Sequence, residues 1–348
     1  LYLAELAALE KIIASAGAQL RTQQHGSVTY QQHSFPLYSL QLGSQDSAAP
    51  VIGFFGGVHG LERIGSQILI GFLHSLLQRL KWDRSLQYQL ESLRIVFMPI
   101  INPIGMALGR RANGNGVDLM RNAPINAAGP AAFLVGGQRI SRHLPWFRGL
   151  EGAAMEGENQ ALCAVVQNQL LSSPLSIALD CHSGFGLRDR IWFPYAATRQ
   201  PMPQLAEIYA LQQLLIQCYP HHPYVIEPQA RQYCTHGDVW DYLLHTLTPA
   251  PALQSASVPP HAHIFLPLTL ELGSWLWIKK NPRQLFSIAG FFNPLVAHRQ
   301  RRVLRRHLPL LEFLIRATHD YRSWLPQSIQ RMDCQHAAIE QWYRQDRP

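Results

Sequence analysis

The stretch VIGFFGGVHGLE, residues 51–62, decides how the chain is read. Val51 to Gly57 is an unbroken apolar run closed by paired glycines. A strand with one wet face alternates polar and apolar residues, so a continuous run points to a strand covered on both faces, inside an α/β sheet. Just beyond it, apolar residues at 64, 68, 69, 72, 73, 76 and 77 recur at helical spacing. The unit is therefore strand, tight turn, helix, and in such sheets functional groups gather at the carboxyl ends of strands. His59 and Glu62 lie in that turn, three positions apart and close enough to reach one ion. An imidazole and a carboxylate suit Zn²⁺. Taken alone, the pair is more commonly a histidine at a helix start with an acid nearby.

Two further buried-type strands end on ionisable residues: SIALDCH on His182, and IFLPLTLELG, which carries Glu271 near its end. With His59 and Glu62 they supply three metal donors and one spare carboxylate at strand ends, though a lone His182 reads as readily as a satisfied core histidine. LRIVFMPIIN (93–102) is another buried strand, and SFPLYSLQLG (34–43) and IWFPYA (191–196) are also strands. Helices are expected for the first seventeen residues and near 158–171 and 203–218. Residues 103–150, rich in Gly, Asn, Arg and Pro, read as a long loop-dominated insertion, and such loops in compact domains are usually functional. TPAPALQSASVPPHA (248–262) is a further loop. Alternating strands and helices predict a three-layer α/β/α sandwich around a central mixed sheet. Residues 1–280 form the catalytic domain in this reading, and 281–348 a helical C-terminal extension packed on it.

Composition narrows the class. The 348 residues are 47% hydrophobic and 15% charged, with enough apolar material for a large core. No apolar run approaches the roughly 18 residues of a membrane helix, so no membrane association is expected. The opening residues mix charges with apolar positions and read as an amphipathic helix rather than a secretory leader. The net charge of +8 includes Arg299, Arg301, Arg302, Arg305 and Arg306, which interleave with apolar residues at helical spacing. That pattern is a solvated helix face, and no nucleic-acid partner is expected. The five cysteines contain no CxxC pair, which argues against a disulfide scaffold or thiolate zinc and for a cytoplasmic location. There is no GxSxG turn for a serine nucleophile. Cys181 and His182 are strand neighbours that point to opposite faces. GNG at 114–116 lacks the strand and helix of a dinucleotide site.

Six segments then recur in one order: GGVHGLE, NPIGMALGRRANGNGVDLMRN, EGENQAL, LDCHSG, YCTHGDVWDY and LTLELG. In this the chain resembles the zinc carboxypeptidase family, the carboxypeptidase A-like enzymes that include bacterial murein-peptide amidases. The resemblance spans residues 50–275. It implies one Zn²⁺ per chain on His59, Glu62 and His182, with Asp118 fixing the His59 tautomer. It implies Glu271 as general base toward the activated water and Arg111, or its neighbour Arg110, polarising the scissile carbonyl. Arg121 would hold an anionic group of a peptide or amide substrate, and Tyr233 would close over it.

The chain departs from the family pattern at two points. Met120 stands where an asparagine usually precedes the carboxylate-binding arginine, and a thioether cannot donate that hydrogen bond. Asn122 or Asn113 is a candidate replacement donor. Trp240 falls where the family's side-chain pocket is lined, and its bulk is expected to shrink that pocket. Hydrolysis of a non-standard or modified peptide follows. The alternatives are a zinc-bearing binding protein without catalysis, or an enzyme akin to acylamino-acid deacylases.

Overall fold

A computed structural model describes residues 1–247 and 263–344, so the expected loop at 248–262 lies outside the described residues. Among those residues the chain forms an eight-stranded sheet of order β1-β2-β4-β3-β5-β8-β6-β7. Its middle is built from the apolar runs: β3 (Val51–Gly56), β4 (Arg94–Met98), β5 (Leu175–Ser183) and β8 (Ile264–Leu272). These four strands are mutually parallel neighbours and almost wholly buried. β2 (His33–Gly43) pairs antiparallel with β4, and β6 (Arg190–Phe193) antiparallel with β8, which makes the sheet mixed.

The two outermost strands, β1 (Arg21–Tyr30) and β7 (Val225–Pro228), had no sequence signal. β1 reads RTQQHGSVTY and is largely exposed, so no apolar pattern marks it; its antiparallel pairing with β2 orders it.

Helices cover both faces, and the alternation along β5 shows which covers which. Cys181 faces α2 (Arg63–Arg79): a Cβ added to Gly65 would lie 2.4 Å from the Cys181 carbonyl oxygen. Asp180 faces the other way and meets Trp240 of α7 (Val239–Leu247). α10 (Ala297–His319) packs with α2 against β3 and β5. Its buried face carries Val303, His307, Leu310 and Leu311, while Arg301, Arg302, Arg305 and Arg306 are exposed. α11 (Ser328–Trp342) docks on α6 (Leu205–Cys218), with the Trp342 ring 4.8 Å from Phe193 and its Nε1 donating to the Ile226 carbonyl at 2.9 Å. No helix among the described residues is long and apolar enough to cross a membrane.

Candidate active site

The carboxyl ends of β3, β5 and β8 lie side by side because those strands are neighbours. His182 of β5 is the register partner of Glu271 of β8, so both side chains leave the sheet on one face. Past the end of β3 the chain turns sharply through His59 to Glu62 before α2 begins. Gly60 permits that turn: a Cβ there would lie 2.0 Å from the Gly105 carbonyl carbon. Asn102, fully buried, pins it with Nδ2 donating to the Val58 carbonyl at 3.1 Å and to the Arg111 carbonyl at 3.3 Å. Its Oδ1 accepts from Gly105 N at 2.8 Å, capping α4 (Pro103–Leu108). One side chain thus ties the His59 turn to the Arg111 segment, and its loss would strand buried carbonyls at about 1–3 kcal/mol each.

His59, Glu62 and His182 converge with donor atoms within 4.8 Å of one another, and all three are buried. His59 Nδ1 is buried without a hydrogen-bond partner. His182 Nδ1 lies 3.2 Å from Glu62 Oε2, while its Nε2 meets Asp180 Oδ2 at 2.7 Å. Ser183 N donates to the same Glu62 oxygen at 2.8 Å.

The electrostatics suit a cation. Burial, with Arg111 next, holds the His59 imidazole far below its usual range, so it stays neutral as a ligand must. At His182 burial acts in the same direction, but Asp180 and Glu62 outweigh it and raise the ring well above its usual range. The site between these two carboxylates therefore attracts positive charge, whether a proton or a metal ion. Two imidazoles and one carboxylate are a donor set for catalytic zinc, with a position left for water or substrate.

Arg111, not Arg110, enters the site. It donates from Nε to Asp118 Oδ2 at 2.7 Å, from one terminal nitrogen to Glu62 Oε1 at 3.3 Å, and from the other to His59 Nε2 at 2.7 Å. Burial would depress the guanidinium's pKa, but Asp118 and Glu62 more than offset this and keep it cationic. Arg110 turns away to the carbonyls of Asn113 and Gly114 and lies over the Tyr30 ring.

Asp118 stands beside His59 but makes its short hydrogen bond elsewhere. Its Oδ1 stands 3.6 Å from His59 Nδ1, beyond hydrogen-bond reach, and its short bond goes to Arg111. Outside the three converging donors, the carboxylate that bonds directly to one of their imidazoles is Asp180, which sequence reasoning missed. Trp240 also corrects the expectation. It is buried beneath the site, 5.1 Å from the Phe55 ring, with Nε1 donating to Asp180 Oδ2 at 3.0 Å, and it is not among the residues that line the cavity holding His59, His182 and Glu271.

Glu271 is buried, accepts from Phe185 N at 3.0 Å, and is pushed up to about 8 by burial and then by Glu62. Arg121 is buried too, donating from Nε to the Val135 carbonyl and from a terminal nitrogen to the Met120 carbonyl, both at 3.1 Å. No carboxylate among the described residues is ion-paired with it. Gly237 lets the neighbouring loop press on this segment: its φ is +70°, and a Cβ there would lie 1.9 Å from the Arg121 carbonyl oxygen. Asn122 and Asn113 do not replace the missing donor. Asn122 bonds the Arg148 carbonyl and Glu156 N, and Asn113 bonds Glu156 and Glu158.

His59, Glu62, Arg111, Arg121, His182 and Glu271 line one cavity of about 490 Å³, with Tyr233 on its wall beside Phe185. A second cavity of about 520 Å³ opens near Asp46, Glu91 and Arg322, far from the converging strand ends and without a metal-donor cluster. Cys181 is no rival nucleophile, since burial raises its thiol far above the usual range.

The zinc carboxypeptidase family profile matches residues 13–244, two-thirds of the chain. The chain belongs to the zinc carboxypeptidase family. Carboxypeptidase SOL1 of Arabidopsis thaliana is 30% identical over 95 residues, which cover 26% of this chain and only 19% of that relative's length. Bovine thrombin-activatable fibrinolysis inhibitor, solved with a tick carboxypeptidase inhibitor, shares the fold at TM-score 0.62 and 16% identity, over 90% of this chain and 94% of that one. Carboxypeptidase A of Helicoverpa armigera does so at TM-score 0.54 and 16% identity, over 76% and 62%. The family match stops before β8, so Glu271 rests on its register beside His182 rather than on that match.

Proposed function

We propose that the protein hydrolyses a peptide or related carboxamide bond, with zinc on His59, Glu62 and His182 and Glu271 as general base. The observation that carries this is the meeting of three metal donors and a buried carboxylate at adjacent strand ends, in a cavity that also holds the cation Arg121. A bound zinc ion would polarise the scissile carbonyl and supply a water acidic enough to attack at neutral pH. Glu271 takes the proton of the attacking water and returns it to the leaving amine. Arg111 places permanent positive charge beside the donors, where the carbonyl oxygen becomes anionic. Arg121 holds an anionic group of the substrate through its planar fork. Tyr233, with Phe185 and Trp275, closes the aromatic wall and excludes water.

The substrate in this reading is a modified, γ-linked or cell-wall-type peptide, because the Met120 position lacks the donor that would fix a standard terminal carboxylate. Residues 1–280 carry all the proposed catalytic groups, with Ile288 and Phe292 from beyond them completing the cavity wall, and a reducing, cytoplasmic location fits five cysteines that are all unpaired. The test is Glu271→Gln on a panel of peptide, isopeptide and cell-wall-type amides. Zinc is retained and turnover falls roughly 10²- to 10⁴-fold. Turnover preserved within a fewfold would remove Glu271 from the chemistry. A native protein that binds zinc but cleaves no amide on the panel would instead be a binding protein.

A further inference from the structure

We propose that the C-terminal segment 275–293 forms one wall of the substrate site and selects a bulky apolar or aromatic residue on the acyl side of the scissile bond. This rests on the hydrolytic reading above but goes beyond it. The cavity lining divides by origin: the insertion supplies Met120, Arg121, Val135, Pro145 and Trp146, while the C-terminal segment supplies Trp275, Ile288 and Phe292. With an anionic end held on Arg121 and the amide at Glu271, the residue before the scissile bond is directed toward that second group.

The wall is built into the site rather than draped over it. α8 (Trp275–Lys280) and α9 (Ile288–Phe292) are joined by a short 3₁₀ helix (Pro282–Phe286) whose Gln284 is fully buried. Gln284 Nε2 donates to the Gly290 carbonyl at 2.7 Å and the Asn293 carbonyl at 3.0 Å. Asn293 then straddles Glu62: its Oδ1 accepts from Ile64 N at 3.0 Å, and its Nδ2 donates to the Leu61 carbonyl at 2.7 Å. Ser183, whose N donates to Glu62, donates from Oγ to the Phe292 carbonyl at 2.7 Å. Trp275 Nε1 donates to the Gly184 carbonyl at 2.9 Å. The segment is thus fastened to both turns that carry the metal donors.

Its apolar side chains are left open where substrate would lie. Trp275 is 47% exposed and Ile288 69%, and the Phe292 ring closes on Gly184, where an added Cβ would lie 2.8 Å away. Phe185, 5.8 Å from the Trp275 ring, continues the surface toward Glu271. Covering this surface with an aromatic side chain is worth a factor of roughly 10 to 100 in affinity or kcat/KM.

The experiment uses zinc-loaded protein and two N-acylated peptides that differ only on the acyl side of the scissile bond, phenylalanine against glycine. kcat/KM is measured for both, and binding of both is measured by calorimetry in Glu271→Gln. The native enzyme prefers phenylalanine by tenfold or more, and the Phe292→Ala/Ile288→Ala double variant brings the ratio below about threefold. If the double variant does not fold, Ile288→Ala alone lowers the ratio at an exposed position. A native ratio near one, or a ratio unchanged in the variants, overturns the proposal. If no turnover occurs at all, the hydrolytic reading fails separately, and the calorimetric ratio still decides whether the wall selects.

Discussion

Met120 sets a thioether beside Arg121 at a position where the family pattern calls for an amide, and both neighbouring asparagines are committed elsewhere. A hydrogen bond to a charged carboxylate contributes about 1.5–3 kcal/mol, so its loss weakens that contact roughly ten- to a hundredfold. Met120→Asn is therefore expected to raise kcat/KM on simple C-terminal peptides about tenfold. A native enzyme that already trims such peptides efficiently would defeat this account of Met120. Asp180 carries a second prediction. Its Oδ2 accepts from both His182 Nε2 and Trp240 Nε1, so it holds the third donor's ring and fixes which nitrogen faces Glu62. Asp180→Asn keeps the shape but removes the charge, and zinc affinity measured by chelator competition is expected to fall roughly 10- to 100-fold. An affinity within twofold of native would leave Asp180 a purely structural residue. The sequence disclosed His59, Glu62 and His182 because they lie at or just past the ends of apolar runs. It concealed Asp180, which lies inside such a run, and it misplaced Trp240, whose downward orientation depends on that hidden carboxylate.

At the scale of elements, β3, β4, β5 and β8 were legible because burial on both faces leaves continuous apolar runs. β1 was not: most of its side chains meet water, and its order comes chiefly from its pairing with β2. The same limit hid the cavity wall at 275–293, whose partners Leu61, Ile64 and Ser183 lie over a hundred positions away. α10 was legible as an amphipathic helix, and its buried face carries a pH liability. His307 is almost fully buried with Nδ1 against the Tyr224 hydroxyl at 2.9 Å, and burial pushes its ring down to about 4, only partly countered by Asp189. The folded pKa is depressed, so the unfolded chain takes up the proton first as pH falls. Stability is therefore intact above about 6.5 and declines toward about 4, by about 3 kcal/mol. His307→Gln is expected to flatten urea-unfolding midpoints across that window. An equally steep decline in the variant would place the titrating group elsewhere.

For the whole molecule, one sheet arranges the chemistry: adjacent parallel strands deliver the His59–Glu62 turn, His182 and Glu271 to one edge, and helices from both ends of the chain hold them there. The sandwich and its mixed sheet were readable from alternating apolar periods. The closure of the cavity by the far C-terminal segment was not, since it depends on hydrogen bonds between distant backbone groups. On this arrangement the three converging donors are proposed to hold one zinc ion. Metal analysis of purified native protein beside His59→Ala and His182→Ala tests it most directly. Native protein is expected to carry close to one zinc per chain, and each variant to lose most of it. Full zinc occupancy in both variants, or a native protein that takes up no zinc, would contradict it.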